Sequence, residues 1–213
     1  MYRAALFDLD GTLTDSLNLS VQSFIHTLDK HLGQQFSPQE VLDMFGPPEE
    51  LIFARLEAGN VEDMMKTYLE FYQREHKRYA RLYREILPAL ELLERRKVHR
   101  AIITGKGDKA TEITLAKTGL DKWFSLVITG SCIKSPKPNP EGIFRALDKL
   151  EVPPVEAFYL GDSPGDMETA HRAGVLSVAA LWGAQEKEAV LAQRPDYVFY
   201  SPGQFFSWLQ QNC

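Results

Sequence analysis

Cysteine is nearly absent from this 213-residue chain, which has only Cys132 and Cys213. Two thiols so placed make neither a disulfide framework nor a zinc-ligand spacing, so a reducing compartment is the simpler expectation. Long apolar runs are missing as well. Uncharged stretches such as residues 173–185 fall short of the roughly 18 apolar residues a membrane helix needs. After Met1-Tyr2-Arg3 only four apolar residues precede Asp8, too few for a signal-peptide core. Nor is positive charge in excess: 24 Lys+Arg against 29 Asp+Glu leave a net charge of −5, which disfavours nucleic acid as the main partner. The expectation is a cytoplasmic chain with no membrane and no nucleic-acid partner, either monomer or homodimer. What is present, 44% hydrophobic and 25% charged residues, is enough to build a core without disulfides or a structural metal.

Six short apolar runs, at residues 4–7, 101–103, 126–128, 157–160, 175–181 and 197–199, are bounded by Gly, Pro, Asp or Ser. Most lack polar alternation, as strands covered on both faces do. Helical patterns at residues 88–96, 108–118, 140–150 and 165–173 lie between them. This alternation predicts an α/β fold, a Rossmann-like doubly wound parallel sheet. The first strand breaks the rhythm, because about seventy residues without a convincing strand follow it. Leu17, Val21, Phe24, Ile25, Leu28 and Leu32 form a helical stripe, and further helices are expected near residues 38–45, 49–56 and 61–76. The expected organisation is an α/β core of residues 1–15 plus 83–213 with an all-helical second module, residues 16–82, inserted after strand one.

Strand one runs into Asp8-Leu9-Asp10-Gly11-Thr12-Leu13. Residues two apart on a strand share a face, so both carboxylates start toward one small volume. The turn at Gly11 can swing Asp10 partly aside and free backbone N–H groups for an anion. Carboxylates this close repel unless a cation sits between them or one keeps its proton. A strand-end aspartate capping a turn accounts for one of them and poorly for two. The second strand ends in Thr104-Gly105-Lys106, which reads as a phosphate seat or as a helix cap. The run from Gly105 to Ala110 also imitates a dinucleotide fingerprint, but the next strand ends in Thr129-Gly130 where an acidic residue would be required.

Lys137 lies in Pro136-Lys137-Pro138-Asn139-Pro140, where alternating prolines stiffen the backbone around a placed charge. The fourth strand ends in Gly161-Asp162-Ser163-Pro164-Gly165-Asp166, a turn that opens a helix. Open parallel sheets bind ligands outside the carboxyl ends of their strands. Asp8, Asp10, Thr104, Lys137, Asp162 and Asp166 are therefore expected to converge. Four carboxylates and a lysine suit a hard divalent cation such as Mg²⁺.

These four segments together resemble the motifs of the haloacid-dehalogenase superfamily of phosphohydrolases, in the group with a helical cap after strand one. The likeness spans the whole chain, and its first and fourth motifs are the specific ones. It implies that Asp8 is the nucleophile forming an aspartyl-phosphate, and that Asp10 is the acid and base. It implies phosphate binding by Gly11, Thr104, Gly105 and Lys137. It also implies Mg²⁺ on Asp8, on the Asp10 backbone carbonyl and on Asp162, with Asp166 acting through waters. Dehalogenases of the family lack an acid where Asp10 stands, the ion-pumping branch carries Lys there and the phosphonate-cleaving branch Ala. That leaves phosphatase or phosphomutase, and Gly11-Thr12 is commoner among phosphatases. Tyr83-Arg84-Glu85 departs from the Tyr-Pro-Gly of many relatives, and Gly105 from their Asn.

The expected function is Mg²⁺-dependent hydrolysis of a small phosphorylated metabolite, similar to that of phosphoglycolate phosphatases. A phosphosugar mutase or pyrophosphatase on the same core, and a non-catalytic phosphate-binding protein, are the alternatives. In the cap, residues 45–50 (Phe-Gly-Pro-Pro-Glu-Glu) resemble a segment that lies over the site; a Gly-Pro turn before a helix explains them equally. Arg74, His76, Lys77, Arg78, Arg81 and Arg84 are read as a solvated basic face, Tyr68 and Tyr72 as part of a buried stripe, and His171 as structural.

Overall fold

The computed structural model describes residues 2–56 and 59–212; Cys213 lies outside them, and Cys132 is a free, exposed thiol. The chain begins with β1 (Ala4–Phe7), makes a short β2 (Thr14–Asp15), and enters four helices: α1 (Leu17–Leu32), α2 (Pro38–Leu42), α3 (Glu49–Arg55) and α4 (Val61–Tyr79). It returns through β3 (Arg81–Leu82) to α5 (Leu87–Arg95), β4 (His99–Ile103), α6 (Asp108–Thr118), β5 (Leu126–Ile128) and α7 (Glu141–Leu150). The last part runs β6 (Ala157–Gly161), α8 (Pro164–Ala173), β7 (Leu176–Ala180), α9 (Lys187–Ala192), β8 (Tyr197–Phe199) and α10 (Pro202–Asn212).

Six strands make one parallel sheet in the order β5-β4-β1-β6-β7-β8. β1 is central, with Phe7 in register with Ile102 on one side and Leu160 on the other. Side chains alternate across the sheet. Ala5 and Phe7 therefore pack with Phe158 against α5 and α10, while Ala4 and Leu6 pack with Tyr159 against α7 and α8. Every β1 residue is buried because both faces are covered, which is why its sequence shows no polar alternation.

The helices between β2 and β3 have a core of their own, centred on Phe24, Phe53, Tyr68 and Tyr72. The buried face of α1 is broader than the apolar stripe, since it includes Ser20, Ser23 and Thr27. Ser23 and Thr27 satisfy their hydroxyls by donating to Leu19 O and Ser23 O, each at 2.7 Å. The helix expected over residues 38–45 stops at Leu42, and the one expected to end at residue 76 continues to Tyr79. β2 and β3, which the sequence did not reveal, pair antiparallel where the helical segment joins the sheet, with Asp15 opposite Arg81. Among the described residues no helix is long and apolar enough to cross a membrane.

Candidate active site

Four strand ends meet at the carboxyl edge of the sheet. Asp8 follows β1 and stays on the ladder, its N–H donating to Leu160 O at 2.8 Å. Asp162 follows β6, Thr104 follows β4, and Lys137 comes in on the proline-rich loop after β5. Together with Asp10, Gly105 and Asp166 they line a cavity of about 650 Å³ between the sheet edge and helices α1 to α3.

Carboxylate oxygens of Asp8, Asp162 and Asp166 all lie within 4.8 Å of one another. Lys137 joins two of them, its Nζ donating to Asp8 Oδ1 at 2.7 Å and Asp166 Oδ1 at 2.6 Å. A third donation goes to the Tyr159 hydroxyl at 3.2 Å, so all three ammonium protons have acceptors. The Tyr159 hydroxyl stands in turn 2.9 Å from Asp166 Oδ1 and 3.0 Å from Ile103 O. Asp166 is further fixed by a reciprocal capping box at the start of α8, its Oδ2 accepting from the Ser163 N–H and hydroxyl while the Ser163 hydroxyl accepts from its N–H.

Burial dominates the electrostatics. It pushes the Asp8 carboxyl up to about 7, with Asp166 reinforcing and Lys137 opposing the shift. Asp162 is driven well above the usual carboxylate range by burial and by the charges of Asp8 and Asp166. Burial acts on Asp166 too, but Lys137 and the Ser163 hydrogen bonds outweigh it and hold that carboxyl low. For Lys137 burial favours the neutral amine, and Asp166 and Asp8 override it to keep the ammonium. Neighbouring carboxyls driven apart in this way, against one lysine, are what a divalent cation or an anionic ligand would reorganise.

Asp10 turns away from this trio. Its carboxylate accepts a short hydrogen bond from the Ser16 hydroxyl and lies 3.2 Å from Lys106 Nζ. Lys106 also donates to Ser20 Oγ at 2.9 Å and sits 4.8 Å from the centre of the Tyr72 ring. Across the cavity, Glu49 at the start of α3 accepts the Gly107 N–H at 2.7 Å, at the N-terminus of α6. Burial raises the Glu49 carboxyl, with Lys106 and backbone N–H groups partly offsetting it.

Gly11 requires a correction. Its N–H, expected to be open to an anion, donates to Thr14 O at 2.7 Å, and the residue does not line the cavity. What the position demands is the absence of a side chain: φ is +88°, and a Cβ there would lie 2.1 Å from Asp162 Oδ2. Thr104 Oγ1 accepts the Lys106 N–H at 3.2 Å. Gly105 lets the loop after α2 approach, since a Cβ on it would meet Gly46 O at 3.1 Å.

Lys106, Tyr159 and Ser16 were given no role from the sequence, and Glu49 entered only within the 45–50 segment that resembles one over the site. The signal for Tyr159 was a phenol within an otherwise apolar strand, since a buried tyrosine hydroxyl needs a partner. Lys106 lay in plain view after Thr104-Gly105. For Glu49 the sequence offered two readings, part of a segment over the site or an acidic residue in a helix's first turn.

A parallel sheet with an acidic trio and a lysine at its carboxyl edge, under a helical insertion, defines a hydrolase class. The chain belongs to the haloacid dehalogenase-like hydrolase family, whose model matches residues 5–180. A protein of Caldanaerobacter subterraneus bearing the name PpaX is 35% identical over 91% of this chain and 88% of its own length. Pyrophosphatase PpaX of Bacillus mycoides is 32% identical over 91% of this chain and 90% of its own. The crystal structure of CbbY from Rhodobacter sphaeroides in complex with phosphate superposes with a TM-score of 0.82 at 21% identity, covering 96% of each chain, and supports the fold.

Proposed function

We propose that this protein is a Mg²⁺-dependent phosphatase that hydrolyses a small phosphorylated metabolite through an aspartyl-phosphate on Asp8. The observation that carries the reading is the trio Asp8, Asp162 and Asp166 at the strand ends, with Asp8 and Asp166 tied to Lys137, on a chain of the hydrolase family. Asp8 attacks phosphorus in line and displaces the leaving oxygen. Asp10, oriented by Ser16 and Lys106, gives that oxygen its proton and later takes one from the water that cleaves the acyl phosphate. Thr104 and Lys137 hold the transferring group, and Lys137 offsets its charge.

Asp8, Asp162 and the Asp10 carbonyl would hold Mg²⁺. Asp166, whose oxygens already serve Lys137, Tyr159 and Ser163, would reach it through water. When bound, the ion supplies the charge neutralisation that brings an anionic ester to an anionic nucleophile. Residues 16–82 act in this reading as a cap that opens about the β2–β3 pair to admit substrate and closes to exclude water.

The test is phosphate release from a panel of small phosphate esters, with and without Mg²⁺, by wild type and by Asp8→Asn. Release that needs Mg²⁺ and falls by at least about a thousandfold in the variant is the expected outcome. No release from any ester would sink the reading in favour of a binding role. The names of the bacillary relatives favour a second reading, pyrophosphate hydrolysis; pyrophosphate therefore belongs in the panel. A mutase would instead need an activating bisphosphate and return the phosphoryl group to a sugar.

A further inference from the structure

The cavity wall is unevenly charged. Beyond the four motif aspartates it adds Asp43, Glu49 and Glu186, and among the described residues its only cations are Lys106 and Lys137. Both lysines are already matched, Lys137 with Asp8 and Asp166, Lys106 with Asp10. Among the described residues the helical segment contributes no lysine, arginine or histidine to this wall; it offers Leu42, Phe45 and Pro47 beside Gln39 and Asp43. A divalent ion and the transferring phosphoryl group would occupy the acidic end, so the leaving group must lie toward the helices.

One feature there would suit an anionic leaving group, the N-terminus of α6 beside Lys106. A carboxylate of the protein fills it. Glu49, only 5% exposed, places Oε2 2.7 Å from the Gly107 nitrogen. The Tyr68 hydroxyl donates to its other oxygen at 3.4 Å. Glu50 crowds the same end, with a buried Oε2 that has no hydrogen-bond partner among the described residues and would stand 2.9 Å from a Cβ on Gly107.

We infer that Glu49 is a specificity-determining residue that occupies the anion seat at α6 and selects phosphomonoesters whose leaving group carries no negative charge of its own. The inference deepens the phosphatase reading and rests on it. An uncharged alcohol meets the apolar wall and the amides of Gln39 and Gln185 without penalty. A second carboxylate or phosphate meets Glu49 and Asp43, with both lysines already engaged.

The experiment is equilibrium binding to the Asp8→Asn protein with Mg²⁺, using 2-phosphoglycolate and 2-hydroxyethyl phosphate. These ligands match in length and differ in a carboxylate against an alcohol. The neutral ester is expected to bind at least about tenfold tighter. Adding Glu49→Gln shrinks that ratio at least about fivefold, and Glu49→Leu, which also frees the Gly107 N–H, shrinks it further. If neither Glu49 variant folds, the ratio in the Asp8→Asn protein alone decides.

Equal or tighter binding of phosphoglycolate overturns the inference. So does a ratio unmoved in a folded Glu49 variant, which would mean that Glu49 only latches α3 to α6, and so does binding of neither ester. In all three cases Mg²⁺-dependent phosphate release by wild type stands or falls separately, so failure of the specificity argument is distinguishable from failure of the phosphatase reading.

Discussion

At the scale of single residues the site is held against its own electrostatics, and Asp8 shows how much. Its carboxyl sits at about 7 in the folded, metal-free protein against 3.8 when exposed. Between those values the native state binds more protons than the unfolded chain, so stability falls as pH rises from about 4 to 7. Asparagine keeps the shape and removes the titration. In EDTA, Asp8→Asn should therefore match wild type in Tm near pH 4.5 and exceed it by several degrees at pH 8, a gap on the order of a few kcal/mol. A difference in Tm that does not change with pH would show that the strain is not there. The aspartates were legible in the sequence because paired acids at strand ends have few structural explanations. Lys106 and Tyr159 were not, because their importance comes from what lies opposite: Ser20 and Tyr72 across the cavity, Asp166 and Ile103 across the sheet. Glu49 was legible only as part of the 45–50 segment, since nothing local says that its carboxylate reaches the nitrogen of Gly107.

At the scale of elements, the motif after β6 is a helix start as much as a chemical site. Ser163 caps α8 and holds Asp166 through both its hydroxyl and its N–H. Ser163→Ala should cost about 1 kcal/mol in urea denaturation, the usual worth of an N-cap. It should also weaken Mg²⁺ binding, because Asp166 loses one of the bonds that fix it. A loss of stability with unchanged Mg²⁺ affinity would separate the cap from the site. The long elements were readable from sequence, because buried parallel strands give apolar runs and α6, α7 and α8 carry clear stops. β2 and β3 are two residues each, too short for any period to show. Ser23 and Thr27 hid the true face of α1, because small hydroxyls that return their hydrogen bond to the preceding turn pack like apolar groups, and Ser20 is buried there as the acceptor for Lys106 Nζ.

At the scale of the whole molecule, the strand order decides what the residues can do together. With β1 between β4 and β6, the acids of the first and fourth motifs become neighbours although more than 150 residues separate Asp8 from Asp162. The folded chain thus brings Asp8 to Asp162 and Asp166, from which the unfolded chain holds it far apart, and a cation that binds the folded cluster preferentially must stabilise the fold by linkage. Mg²⁺ above its dissociation constant should raise Tm with the logarithm of its concentration, reaching about 2.7 kcal/mol of added stability at a hundredfold excess, or several degrees. Asp162→Asn should abolish most of that shift and raise the Tm of the metal-free protein, because it removes a carboxyl that burial and two neighbouring acids disfavour. Thermal scans of both proteins across a Mg²⁺ series read the two effects at once. A wild-type Tm that ignores Mg²⁺, or a variant that responds equally well, would mean that the trio is not where the ion binds.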